Sequence, residues 1–125
     1  MAYIATNPES YSGKVVGTGQ CVPFVQEASG APNTQMWKQG KQVKGNLMIA
    51  KGTAIATFDS AGQYTNSIDG TSHAAIYVSQ DATGITVWDQ WKIPKQPVHQ
   101  RNIRFQGGAA GTKPVNDGDF FYVIE

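Results

Sequence analysis

Two alternating apolar segments joined by a short polar stretch most constrain how this chain can fold. Residues 73–78 (His-Ala-Ala-Ile-Tyr-Val) and 85–90 (Ile-Thr-Val-Trp-Asp-Gln) are rich in β-branched and aromatic side chains, which favour strands. The stretch between them is centred on Asp81, so we expect the two strands to form an antiparallel hairpin. An antiparallel sheet is therefore the predicted centre of the fold.

A helix is predicted before this sheet. Residues 21–29 carry apolar side chains at helical spacing. Pro23 fits only in the first turn, where its missing N–H costs nothing, and Gly30 followed by Pro32 ends the helix. The other expected elements are a short helix at 34–39, strands at 53–58, 102–105 and 120–124, and loops at 1–19, 41–45, 63–72 and 107–111. Helices followed by an antiparallel sheet predict an α+β fold.

Length and composition narrow the possible classes of protein. The 125 residues suit a single domain spanning 1–125, and 40% apolar residues are enough for a core. A net charge of +1 without a basic stripe argues against nucleic acid as a partner. No apolar run is long enough to span a bilayer. Residues 1–8 have no cationic start and no long apolar segment, so we expect no signal peptide. Either the sequence is that of a mature protein, or export uses a machine that needs no cleaved signal.

The single cysteine, Cys21, excludes an internal disulfide and is the candidate nucleophile. It lies at the predicted helix N-terminus, where the helix dipole and unpaired N–H groups favour a thiolate. The same N–H groups can bind the oxyanion of a tetrahedral intermediate. The alternative is a buried cysteine that packs the start of the helix, but the preceding Gly17, Gly19 and Gln20 argue against deep burial.

Two histidines could serve as the base. His73 opens a strong strand that would hold it rigidly, whereas His99 follows two prolines in a polar stretch, where a mobile surface role is expected. A hairpin centred on Asp81 would pair His73 with Asp89, with Cβ atoms about 4.5–5.5 Å apart. Asp89 could then orient the imidazole as the third member of a triad. Its alternative is a solvated structural carboxylate at a strand end.

Three segments resemble the NlpC/P60 and CHAP group of papain-like cysteine amidases, which act on peptidoglycan. Residues 19–25 (Gly-Gln-Cys-Val-Pro-Phe-Val) resemble their nucleophile segment, 72–78 (Ser-His-Ala-Ala-Ile-Tyr-Val) their histidine strand, and 87–91 (Val-Trp-Asp-Gln-Trp) the strand with their third polar residue. The order Cys, His, Asp also matches. The similarity is closest to small stand-alone members, some of which are antibacterial effectors.

The resemblance implies a papain-like fold in which the nucleophile helix packs on an antiparallel sheet. It implies hydrolysis of an amide in cell-wall stem peptides without a metal or cofactor. By this resemblance Cys21 attacks, His73 transfers the proton and Asp89 orients His73. Delivery of a toxin into the periplasm of a rival cell, and a cognate immunity protein in the producer, are further expectations of the same kind.

The chain departs from the papain pattern at the oxyanion hole. Papain itself carries a glutamine six residues before the cysteine, where this chain has Val15. Many NlpC/P60 members use an upstream tyrosine, for which Tyr11 is the candidate, with packing as its alternative. Gln20 could line the cleft or cap the helix. Trp91, with Trp37 and Trp88, could form a cleft wall or pack in the core.

The sequence argues against three other kinds of site and leaves two alternative functions open. The histidines and carboxylates have no recognisable metal-ligand spacing, there is no phosphate-binding glycine loop, and no serine has the context of a nucleophile elbow. A wall-binding module without catalysis remains an alternative on the same fold. A third possibility is that the triad catalyses acyl transfer or deamidation.

Overall fold

The computed structural model describes residues 1–109 and 111–125, in which one α-helix packs on a six-stranded antiparallel sheet. The helix α1 is Cys21–Ser29. The strands are β1 Gln39–Gln42, β2 Ala54–Thr57, β3 Ala74–Gln80, β4 Gly84–Trp91, β5 Gln96–Arg104 and β6 Phe121–Ile124. They lie in the order β1-β6-β2-β3-β4-β5. The predicted α+β architecture, with an N-terminal helix on an antiparallel sheet, is confirmed.

Helix α1 has the predicted bounds. Gln20 is extended, with φ −72° and ψ 162°, so the chain turns into the helix at Cys21. Pro23 is the third helical residue, where no intrahelical N–H bond is lost. Gly30 takes a left-handed conformation with φ 77°, and its N–H donates to Gln26 O at 2.8 Å. Glycine adopts this conformation without a side-chain penalty, which ends the helix here.

The segment after the helix differs from the prediction. The expected helix at 34–39 is only a 3₁₀ turn, Thr34–Met36, and the expected loop at 41–45 is partly strand β1, which pairs with β6. The side chains of β1 are largely exposed because it is an edge strand. Backbone pairing at an edge does not require apolar residues, so hydrophobic alternation could not reveal this strand.

Strand β5 begins at Gln96, earlier than the predicted residue 102. Pro97 lies inside it, and proline is tolerated because β5 is the other edge of the sheet. The loop expected at 107–111 includes Ala110, which lies outside the described residues. In the described part of the chain, no helix has the length and apolar character needed to cross a membrane.

Two clusters of buried side chains cover the two faces of the sheet. On one face α1 packs against β3 and β4, and Phe24 and Val25 of the helix are fully buried against Ala74 and Ile76. On the other face the buried residues are Val43, Ile55, Ala75, Tyr77, Ile85, Val87, Ile103 and Phe121. Small alanines on the helix side allow close approach, so the start of α1 is held firmly against the sheet.

The N-terminal segment was expected to be a loose loop, but the sheet holds it. Ala5 N–H donates to Gly52 O at 2.7 Å, and Ala54 N–H donates to Tyr3 O at 2.8 Å. Ala5 and Val16 are both buried. The chain therefore enters α1 from an anchored loop.

Candidate active site

Cys21 lies in an open cleft of about 1080 Å³ beside the start of α1. As the first residue of α1, Cys21 is half-buried and faces the same space as His73. The first-turn N–H groups of an α-helix have no partner within the helix and carry its positive end. This end of α1 can therefore stabilise negative charge on sulfur.

His73 and Asp89 form a buried pair. His73 Nε2 lies 2.7 Å from Asp89 Oδ2, and both side chains are almost entirely buried. Because Asp89 occupies Nε2, the other ring nitrogen, Nδ1, is free to interact with Cys21.

The strand register that was expected to bring His73 and Asp89 together is wrong by two residues. Tyr77 pairs with Val87 rather than Ile85, and a bulge follows between Tyr77 and Ser79. A shift of two residues keeps each side chain on its own face of the sheet. His73 and Asp89 are consequently diagonal rather than direct neighbours, within reach for an imidazole and a carboxylate.

Strand β5 supplies a second partner for Asp89. Arg101 Nε donates to Asp89 Oδ2 at 2.7 Å, and the guanidinium lies 5.0 Å from the centre of the Trp91 ring. Asp89 Oδ1 is buried and has no hydrogen-bond partner within the described residues. Arg101 could not be recognised from the sequence, because strand β5 was expected to begin after this residue.

His99 does not have the mobile surface position expected for it. It lies in β5 directly opposite Asp89, with His99 Nδ1 3.8 Å from Asp89 Oδ1. Its ring packs edge-on against Trp91 at 5.1 Å. His99 is therefore behind the carboxylate, whereas His73 faces the cleft with Cys21.

The surroundings of Cys21 and His73 favour an ion pair. Burial acts to raise the pKa of the Cys21 thiol, but the hydrogen bond and charge of His73, the Ala74 N–H and the Tyr64 hydroxyl bring that pKa below its ordinary value. Burial acts to lower the pKa of His73, but Asp89 and Cys21 raise it to about 9. These shifts favour the thiolate–imidazolium pair over the neutral thiol and imidazole, which suits a cysteine nucleophile.

Tyr64 is a site residue that sequence reasoning did not find. Its hydroxyl lies 3.8 Å from Cys21 Sγ, and its ring packs on Trp37 at a centroid distance of 4.7 Å. Burial first, and then the negative charge of Cys21, raise the pKa of Tyr64. The hydroxyl therefore keeps its proton and donates to the thiolate. Tyr64 belongs to the predicted polar loop 63–72, and no local pattern distinguishes it.

Gln90 holds the loop that leads to Cys21. Its Oε1 accepts from Val16 N–H at 3.0 Å, and its Nε2 donates to Val16 O at 2.9 Å and to Gln20 O at 2.7 Å. The Gln90 side chain is fully buried. In the same loop Gly17 has φ +56°, and a Cβ there would meet Pro23 Cβ at 2.8 Å. The loop 16–20 is thus fastened both to the sheet and to the helix.

The other three candidate residues, Gln20, Trp91 and Tyr11, lie in different surroundings. Gln20 and Trp91 line the cleft, and Gln20 occupies the N-cap position without a side-chain capping bond. Tyr11 is not among the cleft residues; it packs edge-on against Phe24 at 5.7 Å. The packing alternative therefore describes Tyr11, and Tyr64 is the tyrosine next to the sulfur. Trp37 is buried, and Trp88 packs against the core on the helix side.

Within the described residues, no group of three or more His, Cys, Asp or Glu side chains is arranged to hold a metal ion. The reactive groups in the cleft are the thiol and imidazole described above. Their arrangement can perform nucleophilic attack at sulfur and proton transfer at the ring.

Comparisons with known proteins agree with this architecture. The family described as Domesticated amidase effector 2 matches residues 1–124. The chain is 36% identical to a "Type VI secretion amidase effector 2 protein" of Salmonella typhi, over the whole of both chains. It is 41% identical to "Domesticated amidase effector 2" of Ixodes scapularis, over 96% of this chain and 82% of that protein.

A solved structure supports the same relationship. The structure of "Type 6 secretion amidase effector 2 (Tae2)" superposes with a TM-score of 0.85 at 35% identity, over 98% of this chain and 94% of that one. The sequence motifs resembled the broad NlpC/P60 and CHAP group, and these matches identify one specific family of amidase effectors. The chain belongs to the Domesticated amidase effector 2 family.

Proposed function

We propose that this protein is a cysteine amidase that hydrolyses an amide bond in the stem peptides of bacterial peptidoglycan. Cys21 is the nucleophile, His73 the general base and acid, and Asp89 the group that orients His73. The observation that carries the proposal is the arrangement of Cys21 at a helix start beside His73, which lies 2.7 Å from Asp89. Membership of an amidase effector family supports the amide as the bond that is cut.

The acylation half of the reaction begins with the Cys21 thiolate. Its sulfur attacks the carbonyl carbon of the amide and forms a tetrahedral intermediate with an oxyanion. The free N–H groups in the first turn of α1 supply donors for that oxyanion. When the C–N bond breaks, the His73 imidazolium gives its proton to the leaving nitrogen, and a thioester on Cys21 remains.

The deacylation half returns the enzyme to its starting state. His73, now neutral, accepts a proton from water, and the hydroxide formed attacks the thioester carbon. The C–S bond breaks, and the products are a free carboxylic acid and the Cys21 thiolate beside the His73 imidazolium. Asp89 stays ionised throughout, because its hydrogen bonds and charge interactions with His73 and Arg101 outweigh burial and keep its pKa low.

The likeness to NlpC/P60 and CHAP enzymes suggests a papain-like arrangement within a single domain spanning 1–125. The helix-first order and the Cys, His, Asp sequence support it. Gln20 and Trp91 would then contact substrate from the cleft walls, where both side chains lie. Tyr64, rather than Tyr11, would act beside the sulfur.

The relatives suggest where the enzyme acts. The Salmonella typhi protein is named a type VI secretion effector, and we propose that this chain is likewise delivered to the periplasm of a target cell. An immunity protein that covers the cleft would protect the producer. Ile68 and Ile93 line the cleft with exposures of 98% and 86%, and such apolar rim residues suit burial under a protein partner.

Muropeptide analysis tests the proposed function. Purified wild-type protein is incubated with peptidoglycan sacculi, and the released fragments are separated and identified by mass spectrometry. We expect products with one amide hydrolysed, and none with Cys21→Ala. Equal cleavage by the variant, or no cleavage by either protein, would contradict the proposal. Retention on sacculi without cleavage would favour the wall-binding alternative, and an acyl product other than the free acid would favour acyl transfer.

A further inference from the structure

Outside the Cys21–His73 pair, the formally charged side chains that line the cleft are positive. Among the described lining residues, Lys92 and Arg101 carry formal positive charges, and none is an aspartate or glutamate. The His73 imidazolium is balanced by the Cys21 thiolate beside it, so the excess positive charge of the lining comes from Lys92 and Arg101. A cleft of this kind attracts an anionic substrate group and disfavours a cationic one.

Arg101 is the cation that is held in a fixed position. Its Nε donates to the buried Asp89 Oδ2 at 2.7 Å, and its guanidinium stacks on Trp91 at 5.0 Å. These contacts use one edge and one face of the guanidinium. The terminal amino groups have no hydrogen-bond partner among the described residues, and Arg101 lines the cleft. Lys92, in contrast, is an exposed flexible side chain.

A guanidinium fixed in this way is suited to a carboxylate. Its terminal N–H groups form a planar fork that matches the two oxygens of a carboxylate. Because the side chain is already ordered by Asp89 and Trp91, little conformational freedom is lost on binding. The same geometry also separates Arg101 from His73 by a single carboxylate oxygen, which both residues contact at 2.7 Å.

We propose that Arg101 binds a carboxylate on the residue that supplies the leaving amine, and so makes the enzyme selective for peptides acidic at that position. This inference rests on the proposed function, because it assumes the amide cleavage described above. His73 delivers its proton to the leaving nitrogen, so the part of the cleft next to His73 holds the leaving side of the substrate. Arg101 lines the cleft on the same side, because it contacts the same oxygen of Asp89 as His73 does. The substrate class is therefore a peptide whose amine-donating residue carries a free carboxylate next to the scissile amide.

The test compares three synthetic forms of a stem-peptide substrate found by muropeptide analysis. One form has free carboxylates, one has the leaving-side carboxylate converted to an amide, and one has an acyl-side carboxylate converted. For the wild type, we expect kcat/KM to fall about 10- to 100-fold when the leaving-side carboxylate is amidated, the range for a charge-assisted hydrogen bond. Amidation on the acyl side should have little effect.

The variant Arg101→Gln then distinguishes two roles of Arg101, recognition of the substrate carboxylate and support of Asp89. Loss of support for Asp89 lowers the rate for all three substrates equally, so it leaves their ratio unchanged. Loss of carboxylate recognition brings the ratio of free acid to leaving-side amide close to one. Lys92→Ala is the matched control and should keep the wild-type ratio.

The outcomes separate failure of this inference from failure of the proposed function. A wild type that cleaves the free acid and the leaving-side amide equally would overturn the role of Arg101 while leaving the amidase function intact. A preference that survives in Arg101→Gln, or disappears in Lys92→Ala instead, would also overturn it. Failure of the wild type to cleave any of the three forms would contradict the proposed function itself.

Discussion

The thiol of Cys21 is subject to opposing influences. Burial disfavours the thiolate, whereas His73, the Ala74 N–H and the Tyr64 hydroxyl favour it, and the pKa of Cys21 lies below its ordinary value. The thiolate therefore depends on its partners and not on exposure to water. This dependence makes the effect of each partner measurable by chemical labelling, without any substrate.

We expect His73→Ala to raise the pH at which Cys21 becomes reactive toward iodoacetamide. In the wild type the thiolate persists below the ordinary thiol pKa, so alkylation should continue at neutral pH. Without His73 the desolvation of the sulfur remains, and its pKa rises. Alkylation rates measured across pH by intact-mass spectrometry check this. His99→Ala is the control, and an equal shift in that variant would show that His73 is not the specific partner.

We expect Asp89→Asn to reduce amide cleavage roughly 100- to 10,000-fold, because Asp89 orients His73 and a general acid–base group usually contributes a factor of this size. Catalysis needs the His73 imidazolium, which exists below the pKa of His73 and is lost as pH rises through it. Asp89 helps to raise that pKa to about 9, so the alkaline limb of the pH–rate profile should move to lower pH in the variant. Asp81→Asn, at an exposed position in the same hairpin, should keep the wild-type profile.

Residue type and order were enough to predict Cys21, His73 and Asp89 as a candidate set. Tyr64 and Arg101 could not be predicted in the same way. Tyr64 reaches the sulfur from a polar loop, and Arg101 reaches Asp89 from an edge strand. Both contacts depend on tertiary structure, and no motif or spacing in the chain encodes them.

Among the elements of the fold, strand β4 holds the loop 16–20 in place through the side chain of Gln90. Gln90 follows Asp89 in β4, so adjacent residues of one strand reach the histidine and the loop before the cysteine. Strand β4 thereby positions both His73 and the residue that precedes Cys21. The contact explains how a glycine-containing loop can hold Cys21, the proposed nucleophile, in a defined position.

We expect Gln90→Leu to lower both stability and turnover. The change leaves two carbonyls and one N–H without their side-chain partner, and unsatisfied buried groups cost about 1–3 kcal/mol each where water cannot replace the bond. Chemical denaturation measures the loss, and steady-state kinetics should show a lower kcat at a nearly unchanged KM. Gln100→Leu, on the exposed surface of β5, is the control. A normal kcat in Gln90→Leu would show that the loop does not need this support.

Element types were predicted better than pairings and edges. The bounds of α1 were readable because Pro23 and Gly30 mark its two ends. The hairpin register was wrong because the turn is wider than one centred on Asp81. Gln80 pairs with Ile85, an offset of three residues, and the bulge between Tyr77 and Ser79 reduces the offset to two. Strand β1 was missed because exposed edge residues carry no hydrophobic pattern. The face of Asp89 was nevertheless correct, since a shift of two residues preserves it.

The core on the helix side of the sheet holds the start of α1, where the proposed nucleophile Cys21 lies. Phe24 is fully buried between α1 and the sheet, three residues after Cys21. Burial of α1 on one face and of a separate apolar cluster on the other makes the sheet the common support. We therefore expect that a substitution in the core on the helix side disturbs both stability and the position of Cys21, and that one in the core on the opposite side disturbs stability alone.

We expect Phe24→Ala to cost about 3–5 kcal/mol of unfolding free energy, a large share of the ~5–15 kcal/mol typical of a domain. Because the cavity lies under α1, alkylation of Cys21 at neutral pH should also slow. Ile85→Ala, in the fully buried cluster on the opposite face, should lose stability while keeping the labelling rate of folded protein. If Cys21 is alkylated at the same rate in folded Phe24→Ala and Ile85→Ala, the core on the helix side does not position Cys21.

In the proposed reaction, cleavage passes through a thioester on Cys21, and competition between water and hydroxylamine reveals whether that thioester forms. A thioester reacts with hydroxylamine to give a hydroxamate in place of the carboxylic acid. In digests of peptidoglycan by the wild type, we predict peptide hydroxamates whose share rises with hydroxylamine concentration, and no product with Cys21→Ala. Cleavage that yields only the free acid at every hydroxylamine concentration, or hydroxamates formed equally by Cys21→Ala, would contradict the claim.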